Sequence, residues 1–172
     1  MAALTTVRSL GLQSWCIGAG AVRSLVWDTL HGFAQPSELE DVDVVYFDLT
    51  PSGPGQDASL QQRLHTLMPV LHWEVTNQAT VHEWFASKLG QAVTPLRSLE
   101  DGVSTWPEFA TCVGVHLDGN GRIGVVAPHG LEDLFGLRVR HNPTRADLAI
   151  YRERVRSKRF AERWPLLTIT DA

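Results

Sequence analysis

The sequence contains little cysteine and no long apolar run, and these two absences exclude several classes of protein. Cys16 and Cys112 are far apart and stand in apolar contexts, which favours reduced core residues over a disulfide framework or a zinc cluster. No apolar stretch approaches the length needed to cross a bilayer. The N-terminus also lacks the basic and apolar segments of a signal peptide. We therefore expect a cytoplasmic protein that makes no use of a membrane.

An excess of positive charge is also absent. The formal net charge is −4, which argues against a general nucleic-acid-binding protein. Nine of the fifteen lysines and arginines nevertheless lie in one C-terminal stretch, and this pattern fits either a solvated helix face or a patch facing phosphate or nucleic acid. The nine are Arg138, Arg140, Arg145, Arg152, Arg154, Arg156, Lys158, Arg159 and Arg163.

The hydrophobic pattern of the first half predicts alternating helices and strands. With 172 residues, 44% of them hydrophobic and 20% charged, the chain is long enough for one domain with a substantial core. Apolar spacing and breaker residues predict the elements. They are a helix over 4–10, a strand over 14–17, a helix over 21–30, a strand over 42–47, a loop over 50–56, a helix over 60–68, a strand over 71–75 and a helix over 79–89.

The second half has a different pattern. Two β-branched runs flank the turn 118–121, which predicts a β-hairpin over 112–126, and a helix is expected over about 146–160. The chain is therefore predicted to be α/β (α+β), with a small mixed sheet flanked by helices. We expect a single domain over 1–172, with a core at about 1–90 and a C-terminal extension at about 91–172.

Two acidic residues in a β-branched run carry the most information about function. Asp41 and Asp43 are two positions apart in a predicted strand, so both carboxylates point to the same face. Two adjacent carboxylates repel each other unless a cation lies between them. Mg²⁺ prefers such oxygen ligands and completes its shell with water and substrate phosphates. The pair therefore indicates metal-dependent phosphate chemistry, although a charged strand edge is the common structural alternative.

A glycine turn precedes the acidic pair by about one helix length. Gly18, Ala19 and Gly20 lead from a predicted strand into a helix, with Arg23 on its first turn. A dinucleotide-binding fingerprint requires a third glycine where Arg23 stands, and the sequence has no Gly-Lys-Ser/Thr element of a P-loop. Backbone N–H groups at a helix start favour anions and an arginine adds a charged fork. We expect this turn to bind phosphate.

The third strand supplies two further candidates. Glu74 lies between Trp73 and Val75, where a carboxylate is hard to explain as surface decoration unless it binds a cation or acts as a base. If this strand neighbours the Asp strand, three carboxylates converge. Asn77 follows shortly after and could cap the next helix or reach a nucleotide.

Taken together, these residues resemble the polymerase-beta type nucleotidyltransferase superfamily. The segment 19–24 together with Asp41 and Asp43 also resembles the signature of tRNA end-adding enzymes. Nearly the whole chain is similar to a bacterial family of stand-alone nucleotidyltransferase-like proteins. The segments that carry that similarity are 26–28, 45–48, 73–75, 77–79, 127–134 and 164–165. Ala19 departs from the first glycine of the usual pair, and Ser24 stands where relatives carry Asp or Asn.

The resemblance implies a nucleotidyltransferase fold and transfer of a nucleoside monophosphate from an NTP, such as ATP, to an acceptor hydroxyl. Asp41, Asp43 and Glu74 would bind Mg²⁺, or Mn²⁺ in its place, and perform the chemistry. The nucleotide-binding residues would be Gly18, Ala19, Gly20, Arg23 and Asn77. The expected acceptor is a small molecule. The alternatives are a non-catalytic regulatory module that binds a nucleotide or protein, and RNA end modification through the C-terminal arginines.

Overall fold

A five-stranded sheet organises the chain in the computed structural model, which describes residues 1–50, 55–83 and 93–171. The strand order is β3-β2-β1-β4-β5. The strands are β1 Trp15–Gly18, β2 Val42–Tyr46, β3 Trp73–Asn77, β4 Gly114–Leu117 and β5 Ile123–Val126, and a separate two-stranded sheet pairs β6 Arg138–Arg140 with β7 Thr168–Thr170. The α-helices are α1 Ala2–Arg8, α2 Ala19–Leu30, α3 Gln56–Leu67, α4 Leu99–Val103, α5 Glu132–Phe135, α6 Leu148–Ser157 and α7 Phe160–Arg163.

The sheet is mixed, as predicted. β2 and β3 are parallel, whereas β1 pairs antiparallel with both β2 and β4. Because strand residues alternate between faces, Val42, Val44 and Tyr46 join one hydrophobic cluster with residues of α1 and α3. Val45 on the opposite face packs with Cys16 and other buried residues. Asp41 and Asp43 share the parity of Val45, so they lie toward the same face as Val45.

The predicted hairpin forms and joins the main sheet. β4 and β5 are antiparallel, and β4 pairs directly with β1. The sheet therefore takes strands from both halves of the chain. Strand pairing between distant segments leaves no local periodic signal, so the sequence did not predict that β4 pairs with β1. The division into a core at about 1–90 and a C-terminal extension stays a prediction.

The C-terminal helices cover α2. Trp27 on α2 packs with Tyr151, Phe160 and Trp164 in a second hydrophobic cluster, so the predicted C-terminal helix, observed as α6, is part of the core on one face. The short elements α4, α5, α7, β6 and β7 were not predicted, because three to five residues are too few to show a period.

Several element boundaries differ from expectation by a few residues. α3 begins at Gln56 because Gly55 has a φ of 99° and turns the chain into the helix. Part of the predicted loop, residues 51–54, and much of the helix predicted over 79–89 lie outside the described residues. Within the described residues, no helix is long and apolar enough to cross a membrane, and Cys16 and Cys112 are buried free thiols.

Candidate active site

A polar cavity of about 260 Å³ opens where α2 and the strands β2 and β3 begin. Carboxylates and cations line it together. The acids are Glu38, Glu40, Asp41, Asp43 and Glu74, and the cations are Arg23, Arg154, Lys158 and Arg163. The arrangement places hard oxygen groups beside positive charges, which are the two kinds of group that a metal-bound phosphate requires.

The three acids predicted to act together line this one cavity. Asp43 on β2 lies directly opposite Glu74 on the parallel strand β3, and Asp41 immediately precedes β2. Burial raises the pKa of Asp43 to about 6, with the negative charges of Asp41 and Glu74 adding to the shift. The electrostatic coupling shows that the three carboxylates repel one another across the cavity.

The carboxylates are near one another without forming a compact ligand set. Among the described residues, no three His, Cys, Asp or Glu side chains are gathered closely enough to hold a metal ion. Glu74 is also exposed, because β3 is an edge strand whose residues alternate between buried and exposed. Its neighbours Trp73 and Val75 are buried because they point to the other face of the strand, and a cation-binding or base role for Glu74 stays a prediction.

The residues of the glycine turn have different surroundings: Gly20 lines the cavity, whereas Gly18 and Ala19 pack in the interior. Gly20 lines the cavity, and a Cβ added there would lie 3.7 Å from Asp41 Oδ1 and 3.8 Å from Arg23 Nη2. Gly18 caps the start of α2 and faces Trp106, whose ring occupies the space that a Cβ would need. Ala19 has a φ of 38°, and its N–H donates to the Val113 carbonyl at 3.1 Å. Of the three, Gly20 is the position open to a ligand.

Arg23 lies in an aromatic cage at the wall of the cavity. Its guanidinium carbon is 5.7, 4.9 and 5.4 Å from the ring centroids of Trp27, Phe160 and Trp164, and the residue is only 4% exposed. Burial lowers the pKa of Arg23 to about 10, and the charges of Arg154 and Arg163 contribute. The side chain is therefore a cation at neutral pH that aromatic faces hold in place.

The C-terminal cations divide into two groups. Arg154, Lys158 and Arg163 line the cavity, as expected for a phosphate-facing patch. Arg145 donates to the Thr94 carbonyl, and the remaining five form ion pairs elsewhere, as expected for a solvated face. These pairs are Arg138 and Arg140 with Asp133, Arg152 with Asp171, Arg156 with Glu153, and Arg159 with Glu162. The i,i+4 spacing of Arg154 and Lys158 places both on one helix face, a signal available in the sequence.

Asn77 has a structural role at the opposite end of β3 from Trp73. Its Oδ1 accepts from the N–H groups of Asp48 and Ala79, both at 3.1 Å, and its Nδ2 donates to the Asp48 carbonyl at 2.8 Å. Its own N–H donates to Asp57. These hydrogen bonds match the capping interpretation of Asn77. They give no support to nucleotide binding, since Asn77 is absent from the residues that line the cavity.

The chain matches solved structures over its full length. A structure determined by NMR, described as a CCA-adding enzyme head domain, is 29% identical, with a TM-score of 0.84 over 100% of this chain and 89% of that one. A tRNA-processing enzyme, solved in an apo form and with CTP, is 18% identical in each case, with a TM-score of 0.53. This chain spans about 42–43% of the latter's length, and at that identity the likeness shows the fold alone.

The model of a nucleotidyltransferase family matches residues 5–169, while a comparison with curated proteins gave no significant match. The match includes β1, α2 and the strands that carry the three carboxylates. Together with the head-domain structure, it supports an enzyme whose class of reaction is nucleotidyl transfer. The chain therefore belongs to this nucleotidyltransferase family.

Proposed function

We propose that the protein transfers a nucleoside monophosphate from an NTP to an acceptor hydroxyl and releases pyrophosphate. The observation that carries this proposal is the cavity in which Asp41, Asp43 and Glu74 face Arg23 and Arg154. A triphosphate needs cations at its oxygens, and its transfer requires charge stabilisation at both the attacking and the leaving oxygen.

The acidic side of the cavity fits Mg²⁺, or Mn²⁺ in its place. Asp41 and Asp43 would hold the ion, and Glu74 would hold a second ion or accept the proton of the acceptor hydroxyl. The donor set consists of hard carboxylate oxygens. Burial and, to a smaller extent, the negative charges of Asp41 and Glu74 raise the pKa of Asp43, and a divalent cation would relieve the repulsion between these charges. When bound, the metal ion would neutralise part of the negative charge of the triphosphate.

The basic side of the cavity fits the phosphates. The first turn of the 12-residue helix α2 presents backbone N–H groups without intrahelical partners, and Gly20 lets a ligand approach the backbone closely. Arg23 adds a fixed charge at the same point. We propose that these groups orient the triphosphate and that Arg23 stabilises the charge that develops on the leaving pyrophosphate.

We further propose a small molecule as acceptor. Five of the C-terminal arginines already pair with acids outside the cavity, so they add little positive potential for an extended polyanion. Modification of an RNA end is the second candidate, because the head-domain relative is described as part of a CCA-adding enzyme. RNA binding by this chain would weaken steeply as salt is raised; binding that is absent, or unchanged between about 50 and 200 mM salt, would remove this candidate.

Calorimetric titration tests the proposed reaction. Mg²⁺ or Mn²⁺ and each NTP are titrated into the wild type, Asp43→Asn and Glu100→Gln, an exposed acid that is absent from the cavity lining. We expect weaker metal-dependent NTP binding in Asp43→Asn and unchanged binding in Glu100→Gln. Equal affinity in all three proteins, or no NTP binding in any, would overturn the proposal.

Turnover is measured separately as pyrophosphate release across a panel of hydroxyl-bearing acceptors. NTP binding without release for any acceptor would favour the non-catalytic module over the enzyme. Release that is lost in Asp43→Asn and retained in Glu100→Gln would support transfer at this cavity.

A further inference from the structure

Glu108 is a fully buried carboxylate that the proposed reaction does not use. Its exposure is 0%, and it precedes the short 3₁₀ helix Phe109–Thr111. Oε2 accepts from the Thr111 hydroxyl at 2.6 Å, and Oε1 lies 2.8 Å from Arg154 Nε. Burying a charge is costly unless it is paired, so the ion pair with Arg154 accounts for the presence of Glu108 in the interior.

Arg154 spans the distance between this buried acid and the cavity. Nε of Arg154 faces Glu108, while the residue lines the cavity together with Asp43, and its side chain is 31% exposed. The positive charge of Arg154 lowers the pKa of both Asp43 and Arg23. The guanidinium therefore lies within electrostatic reach of Asp43 and Arg23 in the cavity. Its contact with Glu108 is an ion pair, because neither Arg154 Nε nor Glu108 Oε1 makes a hydrogen bond with the described residues.

The other two C-terminal cations of the cavity share one acid, Glu40. Lys158 Nζ is 2.6 Å from Glu40 Oε2, and Arg163 Nη1 is 3.9 Å from Glu40 Oε1. Arg163 Nη2 also donates to the Glu38 carbonyl at 2.7 Å. Arg154 instead pairs with the buried Glu108 through the Nε edge of its guanidinium.

We propose that Arg154 binds non-bridging oxygens of the NTP triphosphate through its Nη groups and that Glu108 is the positioning residue that orients it. This inference rests on the proposed function. A guanidinium presents a planar fork that matches phosphate geometry, and the ion pair with the buried Glu108 carboxylate holds this guanidinium at the cavity wall. Arg23 and Arg154 then form a pair of cations that the fold orients, one through aromatic rings and the other through a carboxylate.

A double-mutant cycle tests the proposal. Inorganic tripolyphosphate and NTP, each with Mg²⁺, are titrated into the wild type, Arg154→Gln, Arg154→Lys, Glu108→Gln and the double variant Glu108→Gln/Arg154→Gln. Arg156→Gln is the matched control, since it lies on the same helix and pairs with Glu153. Melting temperatures are recorded for every variant so that folding and binding are separated.

We expect Arg154→Gln to weaken binding of both ligands by roughly 10- to 100-fold, the equivalent of losing a charge-assisted hydrogen bond. Arg154→Lys should restore only part of this affinity, because lysine lacks the fork. Glu108→Gln should weaken binding by a smaller factor, and the double variant should bind like Arg154→Gln alone, because Glu108 acts through Arg154. Arg156→Gln should leave affinity unchanged.

Two outcomes would overturn the inference, and they are distinguishable. If the wild type binds both ligands and folded Arg154→Gln binds them equally well, the inference fails while the proposed function stands. Additive effects of Glu108→Gln and Arg154→Gln would remove the positioning role of Glu108. If the wild type binds neither ligand, the proposed function fails and this inference fails with it.

Discussion

At the scale of single residues, the site shows two unusual features: an alanine in the left-handed region and a carboxylate with a raised pKa. Ala19 has a φ of 38° at the start of α2, a conformation that costs an L-residue energy and that glycine adopts freely. Asp43 stays near other negative charges at the edge of the cavity. Both features are energetically unfavourable and persist because the surrounding structure holds them in place, as is common at functional sites.

Ala19→Gly should stabilise the protein. Relief of the left-handed backbone is worth about 1–2 kcal/mol, and the greater freedom of glycine in the unfolded chain offsets about 0.5–1 kcal/mol of it. We expect a net gain of about 0.5–1 kcal/mol in the free energy of unfolding, measured by denaturant titration. Ala21→Gly in the same helix is the control and should lose about 0.5–1 kcal/mol. A loss of stability in both variants would contradict the strain at Ala19.

The raised pKa of Asp43 predicts a pH-dependent stability. A carboxyl whose pKa rises from 3.8 to about 6 on folding binds its proton more tightly in the native state. The contribution of protonated Asp43 to the free energy of unfolding is therefore fully present below about pH 4. It is lost as the pH rises through about 6. Asp43→Asn, which cannot ionise, should match the wild type near pH 4 and exceed it by about 3 kcal/mol at pH 8.

Measuring stability in the presence of Mg²⁺ is a second test with the Asp43→Asn variant. Binding to the native state should restore wild-type stability at pH 8 and leave Asp43→Asn nearly unchanged. An Asp43→Asn variant that is no more stable than the wild type at pH 8 in the absence of Mg²⁺ would contradict the raised pKa.

At the scale of elements, one buried aspartate connects three segments around the cavity. Asp28 on α2 accepts from Trp164 Nε1 at 2.7 Å and from the N–H and hydroxyl of Ser37 at 2.8 and 3.0 Å. Trp164 is also part of the cage around Arg23. The Asp28 network therefore holds α2, the segment leading to Asp41 and the chain after α7 in one arrangement.

Trp164→Phe should cost more stability than a comparable substitution elsewhere. It removes a hydrogen bond to a buried carboxylate, whereas Trp73→Phe removes one to the neutral Met68 carbonyl at 3.1 Å. Both tryptophans are fully buried and lose the same apolar volume. We expect Trp164→Phe to lower the free energy of unfolding by about 1–2 kcal/mol more than Trp73→Phe. Equal losses in the free energy of unfolding, measured by denaturant titration, would mean that another group replaces the hydrogen bond that Asp28 loses in Trp164→Phe.

At the scale of the whole molecule, the sheet and the second hydrophobic cluster both join the two halves of the chain. β1 lies in the middle of the sheet because β4, from the second half, pairs on one side of it. Trp27 from the first half is buried against Tyr151, Phe160 and Trp164 from the second. Neither half of the chain therefore encloses a complete hydrophobic core by itself.

A fragment of residues 1–90 should therefore fail to fold. It would leave one edge of β1 unpaired and Trp27 without its partners, with too little buried area to offset the chain entropy. We expect no cooperative thermal transition by circular dichroism, with the full chain as control. A cooperative transition in the fragment would instead support the core and extension first expected from the sequence.

Much of the fold was predictable because it depends on local pattern. The helices α1, α2, α3 and α6 and the strands β1 to β5 match the expected elements within a few residues. The helices contain enough residues for their period to show, and the strands were indicated by β-branched and aromatic runs and by turn residues. The short elements α4, α5, α7, β6 and β7 were missed because too few residues are available to show a period. In the site, the shared face of Asp41 and Asp43 followed from strand geometry alone, whereas the exposure of Glu74 depended on β3 being an edge strand.

The sequence by itself determined the acidic pair, the glycine turn and the strands that carry them, because these features arise between residues close together in the chain. Only the tertiary structure decided that Glu74 lies beside Asp43, that Phe160 and Trp164 lie against Arg23 and that Glu108 pairs with Arg154. Each of these contacts joins segments far apart in sequence. Their geometry depends on how the whole core packs, and no local periodicity encodes it.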